Sequence, residues 1–142
     1  MKHSSFLNSV PFEEIEIGME ATFGKKVENG DIELFAKVSG DVNPIHLDDK
    51  YAEKSRFKKR IAHGLMSASY FSALFGTKIP GQGCVYVSQS LKFKRPVFLG
   101  DYVEARIVVT DKDQKKRRVF FKTVCTVNNK MVIDGDAELF VP

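Results

Sequence analysis

Residues 63–76 read HGLMSASYFSALFG, and almost every position is apolar or small. Leu65, Met66, Ala68, Tyr70, Phe71, Ala73, Leu74 and Phe75 leave no polar face. A helix without a polar face is a buried helix, and this run is shorter than the ~20 residues a bilayer span requires. It ends at TKIPGQG, residues 77–83, where Pro80, Gly81 and Gly83 break it. The rest of the chain has to enclose this segment.

From residue 84 the apolar period changes to two, the signature of half-buried strands. Val103, Ala105, Ile107 and Val109 alternate with more polar neighbours, as do Val119, Phe121, Thr123 and Cys125. Met131, Ile133, Ala137 and Leu139 stand opposite Asp134, Asp136 and Glu138. Turns are expected at RPVFLGD (95–101), DKDQKK (111–116) and VNNK (127–130). Such strands form an antiparallel sheet with one buried and one wetter face. The sheet and the apolar helix bury each other, so the expected fold is α+β, with the sheet curled around the helix. Ahead of the helix, GMEATFGKKV (18–27) reads as an opening strand. GDIELFAKVSG (30–40) reads as a helix on the spacing of Ile32, Phe35 and Val38, stopped by Gly40. DDKYAEKSRF (48–57) suits a further short helix.

The chain has 142 residues, the size of one domain, enough to bury roughly 70% of its unfolded surface. A single domain over 1–142 is expected, with no repeat, linker or low-complexity tract. At 43% hydrophobic and 28% charged it is far from the disordered regime. MKHSSFLNSVPFEE at the N-terminus lacks an apolar core of signal-peptide length, so a soluble cytoplasmic protein is expected, without a membrane partner. The net charge of +4 does not indicate nucleic acid; it suits a small polyanionic ligand or an acidic partner equally well. Two basic sets, Lys92, Lys94 and Arg95 and then Lys115 to Arg118, are weak candidates for meeting phosphates. Cys84 and Cys125 read as buried reduced thiols. His46 and His63 have no cysteine near them, so no metal is expected. Phosphate-loop, dinucleotide and serine-hydrolase motifs are absent.

The polar chemistry collects in SGDVNPIHLDD, residues 39–49. A turn that only ends a helix would use Asp41 and Asn43 as caps and Pro44 to fix the backbone. His46 exceeds that need: a rigid loop holding a carboxylate and an imidazole is what proton transfer to or from a bound water requires. A second candidate is AHGL, residues 62–65. Gly64 falls at the start of the apolar helix, where free N–H groups and the positive end of the dipole can receive a developing oxyanion.

The segment FAKVSGDVNPIHLDDKYAEKSRFKKRIAHGL (35–65) resembles the signature of the (R)-specific enoyl-CoA hydratases of the MaoC-like hydratase family. The downstream IPGQGCVYVSQSLKFKRPVFLGDYVEARIVV (79–109) is similar to that family too. The resemblance spans about residues 12–142. It implies the hot-dog fold, an antiparallel sheet around a central helix, and reversible addition of water to trans-2-enoyl thioesters of coenzyme A or acyl carrier protein. It implies Asp41 and His46 as the catalytic pair, the Gly64 N–H as oxyanion donor, and Ser69 as a lining residue of the acyl site. Asn43 and His63 are implied in supporting roles, with no cofactor beyond the thioester carrier and with a homodimeric assembly. One departure is Arg60, where the family usually carries proline before I-x-H-G. A hot-dog thioesterase and a non-catalytic acyl-thioester-binding module are the alternatives; the GDVNPIH loop followed by HG favours hydration.

Overall fold

The computed structural model describes residues 8–142; residues 1–7, on which part of the leader-peptide expectation rests, lie outside it. A short 3-10 turn at Phe12–Glu14 precedes β1 (Glu20–Lys26). Three helices follow: α1 (Asn29–Ser39), α2 (Pro44–Leu47) and α3 (Asp49–Glu53). Then come the central helix α4 (Gly64–Thr77) and the strands β2 (Val85–Gln89), β3 (Lys92–Phe93), β4 (Tyr102–Asp113), β5 (Arg118–Val127) and β6 (Lys130–Phe140). All strand pairs are antiparallel, in the order β1-β4-β5-β6-β2, with β3 also on β6. No helix among the described residues is long and apolar enough to cross a membrane.

The sheet closes over α4 as the period of two requires. Val103, Ala105, Ile107 and Val109 of β4, and Val119, Phe121, Thr123 and Cys125 of β5, are buried. They meet Met66, Phe71, Leu74 and Phe75 of α4 in one core. Burial pushes the Cys125 thiol up to about 12, so it is a neutral, apolar part of that core. Cys84 is half-buried and both thiols are free. The β5–β6 hairpin turns on Asn128 and Asn129, both at positive φ (50° and 64°), which suits the two-residue hairpin turns that asparagine tolerates.

Three expectations need correction. In β6 Ile133, Ala137 and Leu139 are buried as expected, but Val132 is buried too and Met131 only half-buried. A register shift opposite Cys125 and Thr126 leaves Val132 without a pairing partner, and such a bulge resets the alternation. In α1, Val38 is 84% exposed while Ile32 and Ala36 are buried; the inward stripe is Ile32, Phe35 and Ala36, because helical neighbours lie three and four apart. Finally, α4 is not buried all round. Gly64, Leu65, Ser69, Ser72, Ala73 and Gly76 form an uncovered strip, since one curled sheet encloses only one side of a helix.

Candidate active site

The site is assembled where α1 ends. Gly40 caps that helix in the left-handed conformation (φ 81°), its N–H bonding Ala36 O. The next residues are held by polar links that advance two positions at a time. Asp41 N donates to Ser39 Oγ (3.1 Å), Asn43 N to Asp41 Oδ1 (3.1 Å) and Ile45 N to Asn43 Oδ1 (3.2 Å). The last bond makes Asn43 the N-cap of α2, with Pro44 at its first position, where proline suits a helix. His46 therefore sits on a single helical turn rather than in the expected loop. Asn43 supports the site as a cap.

Two backbone carbonyls orient the two imidazoles. His46 Nδ1 bonds Ile61 O (2.7 Å) and His63 Nε2 bonds Asp41 O (2.9 Å). A carbonyl oxygen only accepts, so each of these nitrogens carries the proton. In neutral His46 the outward nitrogen, Nε2, is then an acceptor. It faces Asp41 Oδ2 at 3.8 Å, beyond hydrogen-bond length. The Asp41 side chain is 50% exposed and that of His46 10%. His63 stacks on His46 with ring centroids 3.9 Å apart and also packs against Phe35, tilted at 57°. It is buried, holds the Asp41 backbone and steadies the His46 ring. Asp41, His46 and His63 place one ligand-type atom each within 4.8 Å of one another, but His63 Nδ1 is sealed from solvent and both other ring protons are committed to carbonyls.

A cleft of about 600 Å³ opens over this pair. Gly64 lies on its wall at the first position of α4, and among the described residues its N–H meets no acceptor within the chain. A Cβ at Gly64 would stand 2.6 Å from Cε1 of Phe93, so glycine lets the ring and the helix start close on the same space. Val132 and Ile133, buried together by the β6 bulge, and Ile61 supply apolar wall. Arg56, Lys94 and Arg95 also line the cleft, and none of them is in an ion pair among the described residues.

Asp41, His46, His63 and Gly64 thus converge on one cleft, while Ser69 does not reach it. Ser69 lies on the uncovered strip of α4, its hydroxyl donating to Met66 O (2.5 Å). The α4 serine on the cleft wall is Ser67, whose buried Oγ has no partner among the described residues. Phe93 and Ser67 were assigned no role in the sequence. Helical phase was available to find Ser67, three residues beyond Gly64; nothing local marks Phe93, which reaches the helix from another strand. Of the two basic sets, Lys94 and Arg95 border the cleft. In the other, Arg117 bonds Val141 O and Glu13, and Arg118 pairs with Glu138, so these arginines fasten chain segments together.

The structure is a curled antiparallel sheet on a central helix, with Asp41, His46 and the first residue of that helix, Gly64, on one cleft; this is the hot-dog architecture. The chain belongs to the MaoC-like domain family, whose model matches residues 12–131. It is 49% identical over 131 residues to an (R)-specific enoyl-CoA hydratase of Rhodospirillum rubrum, covering 92% of this chain and 91% of that one. It is 41% identical to a 3-hydroxybutyryl-CoA dehydratase of Methylorubrum extorquens, covering 92% and 83%. Among solved structures, the R-hydratase PhaJ1 of Pseudomonas aeruginosa superimposes with a TM-score of 0.91 at 42% identity, covering 96% of this chain and 88% of that one. The (R)-hydratase of Aeromonas caviae gives 0.89 at 36%, covering 92% and 99%.

Proposed function

We propose that the protein is a hydro-lyase that reversibly adds water to trans-2-enoyl-CoA, giving the (R)-3-hydroxyacyl-CoA. The observation that carries this reading is the pair of acceptor atoms 3.8 Å apart, Asp41 Oδ2 and His46 Nε2, beside the free Gly64 N–H in one cleft. One water can give one hydrogen to each acceptor. His46 Nε2 takes a proton as the water oxygen bonds to C3, and the C2=C3 electron pair moves onto the thioester. The resulting enolate oxygen is received by the Gly64 N–H and the N-terminal dipole of α4, a donor of a kind worth about 3–4 kcal/mol. The pair then returns the proton to C2, which completes the addition. General acid–base assistance of this type contributes about 10²–10⁴-fold. No group beyond the thioester enters the balance.

Support for coenzyme A as the carrier comes from two relatives, at 49% and 41% identity, both named for CoA thioesters, and from Arg56, Lys94 and Arg95 at the cleft, which have no carboxylate partner among the described residues and suit a phosphate-bearing ligand. The protein acts as a homodimer in the cytoplasm. For the dimer, the edge strand β2 exposes Val85, Tyr86 and Val87, and α4 has its own uncovered strip; an apolar edge needs a cover. Sedimentation of a fully active monomer would remove the dimer from this reading. The deciding experiment is loss of the conjugated enoyl absorbance of crotonyl-CoA and longer enoyl-CoAs, with chiral analysis of the product. An (R)-alcohol is expected. An (S)-alcohol, absence of hydration at every chain length, or release of free thiol in its place would overturn the assignment.

A further inference from the structure

Residues 60 and 61 hold α2 by three hydrogen bonds, two of them to His46 itself. Ile61 N donates to Ile45 O (3.3 Å), Ile61 O accepts from His46 Nδ1 (2.7 Å), and Arg60 Nε donates to His46 O (2.6 Å). The guanidinium continues beyond α2. Its Nη2 donates to Asn29 Oδ1 (2.6 Å), on the first residue of α1, and Nη1 lies 3.8 Å from Asp49 Oδ1, on the first residue of α3. Only 10% of the Arg60 side chain is exposed. One planar cation therefore joins the three helices around the acid–base pair. α1 delivers Asp41 from its C-terminal end and α2 carries His46, so their relative placement sets the separation of the two acceptors. A four-residue helix has no internal partner for its last carbonyls, and a guanidinium fork answers several acceptors at fixed angles where an ammonium answers one.

We propose that Arg60 is a positioning residue of the reaction: resting on the hydratase reading above, it fixes the gap between Asp41 Oδ2 and His46 Nε2 without touching substrate. It stands outside the catalytic cleft. Substrate binding is then left intact when it is removed, and the chemical step is slowed by misplacement of the histidine. Displacements on the scale of 1 Å distant from the reacting atoms cost up to about 10²-fold.

The test compares wild type with Arg60→Met, Arg60→Lys and Asn29→Ala, the last removing an anchor of the fork at a distance from the cleft. Expected are a fall in kcat of about 10-fold to 10²-fold in Arg60→Met with KM within about threefold, a smaller fall in Arg60→Lys, and the smallest in Asn29→Ala. In Arg60→Ala, millimolar guanidinium should restore part of kcat without changing KM. Should Arg60→Met not fold, Arg60→Lys and Asn29→Ala carry the comparison. A kcat within twofold of wild type in all folded variants, or a loss confined to KM, overturns the proposal. A second readout needs no turnover: long-range ¹H–¹⁵N spectra should report one Nδ1-protonated tautomer for His46 in wild type and averaging in Arg60→Met. An inactive wild type with that spectral difference would sink the hydratase reading and leave the clamp; an active wild type without it, and with unchanged kcat, would sink the clamp alone.

Discussion

The corner from Ser39 to Leu47 and the central helix α4 both face the same cleft, yet they are held by different forces. The corner stands on a ladder of polar links between residues 39, 41, 43 and 45, each worth on the order of 1 kcal/mol, and Asp41 remains half exposed. α4 is held by burial: Phe71, Leu74 and Phe75 are at most 1% exposed, and burying one such side chain contributes about 1.5–3 kcal/mol. The corner can thus be varied at small cost to the fold, whereas α4 presents a free backbone N–H to the cleft at Gly64 and gives most of its side chains to stability. Even one carboxylate is divided this way. Asp41 Oδ1 accepts the Asn43 N–H and holds the turn, while Oδ2 faces His46.

The strongest attempt to break this contrast is on the helix. Phe71→Ala should cost about 3–5 kcal/mol of stability, measured by denaturant unfolding. Turnover per folded molecule at low temperature should stay within a fewfold of wild type. A stability loss under 1 kcal/mol would mean that α4 is not the keystone of the core.

On the corner the balance should invert. Asp41→Asn keeps an acceptor for the Asn43 N–H and loses the charge; His46→Gln keeps a polar group and loses the base. Each should lower kcat by roughly 10²-fold or more, with melting temperatures close to wild type. The double variant should be little slower than the slower single one, because groups acting on one water are strongly non-additive. Additive losses in log kcat would refute a shared water even if both residues matter.

Asn43 tests the ladder itself. Asn43→Ala removes the cap on α2 and should cost about 1 kcal/mol, with a fall in kcat smaller than that of either acid–base variant. A loss of kcat as deep as that of His46→Gln would move Asn43 from supporting the site to acting in it.

What the sequence disclosed follows the same division. Burial repeats along the chain, so the inward residues of β4 and β5 were legible from a period of two, and α4 from its apolar run, though not its uncovered strip. Polar turn chemistry is local, so the links through Asp41 and Asn43 were legible as a turn. The bulge that buries Val132 beside Ile133 was not, since it arises from a register shift against β5 with no local mark. Val38 was misplaced because three-residue spacing fits two faces of a short helix, and the strip that carries Ser69 was not legible because it is defined by what the sheet leaves uncovered. The role of Arg60 depends on Asn29, His46 and Asp49 meeting in space; the resemblance flagged the position and gave no reason for it.

The smallest expected effect concerns pH. Burial raises the Cys125 thiol to about 12, whereas an unfolded cysteine titrates near ~8.5. Above the unfolded value the unfolded chain binds fewer protons than the folded one, so stability falls as pH rises. The loss begins near the unfolded pKa and continues towards about 12. At pH 9.5 it should amount to roughly 1 kcal/mol for this group. Cys84, also raised by burial, and the Tyr70 phenol, pushed up to about 12, add slopes of the same sign. Cys125→Ala should be less stable than wild type at pH 7, because it leaves a small void beside Ser67 O, to which the thiol points at 3.7 Å. The two unfolding curves should then converge by roughly 1 kcal/mol between pH 7 and 9.5, since the variant has lost one titrating group. A constant gap across that range would mean that Cys125 reaches solvent in the folded protein, and the thiol would then react with an aromatic disulfide reagent before global unfolding rather than with it.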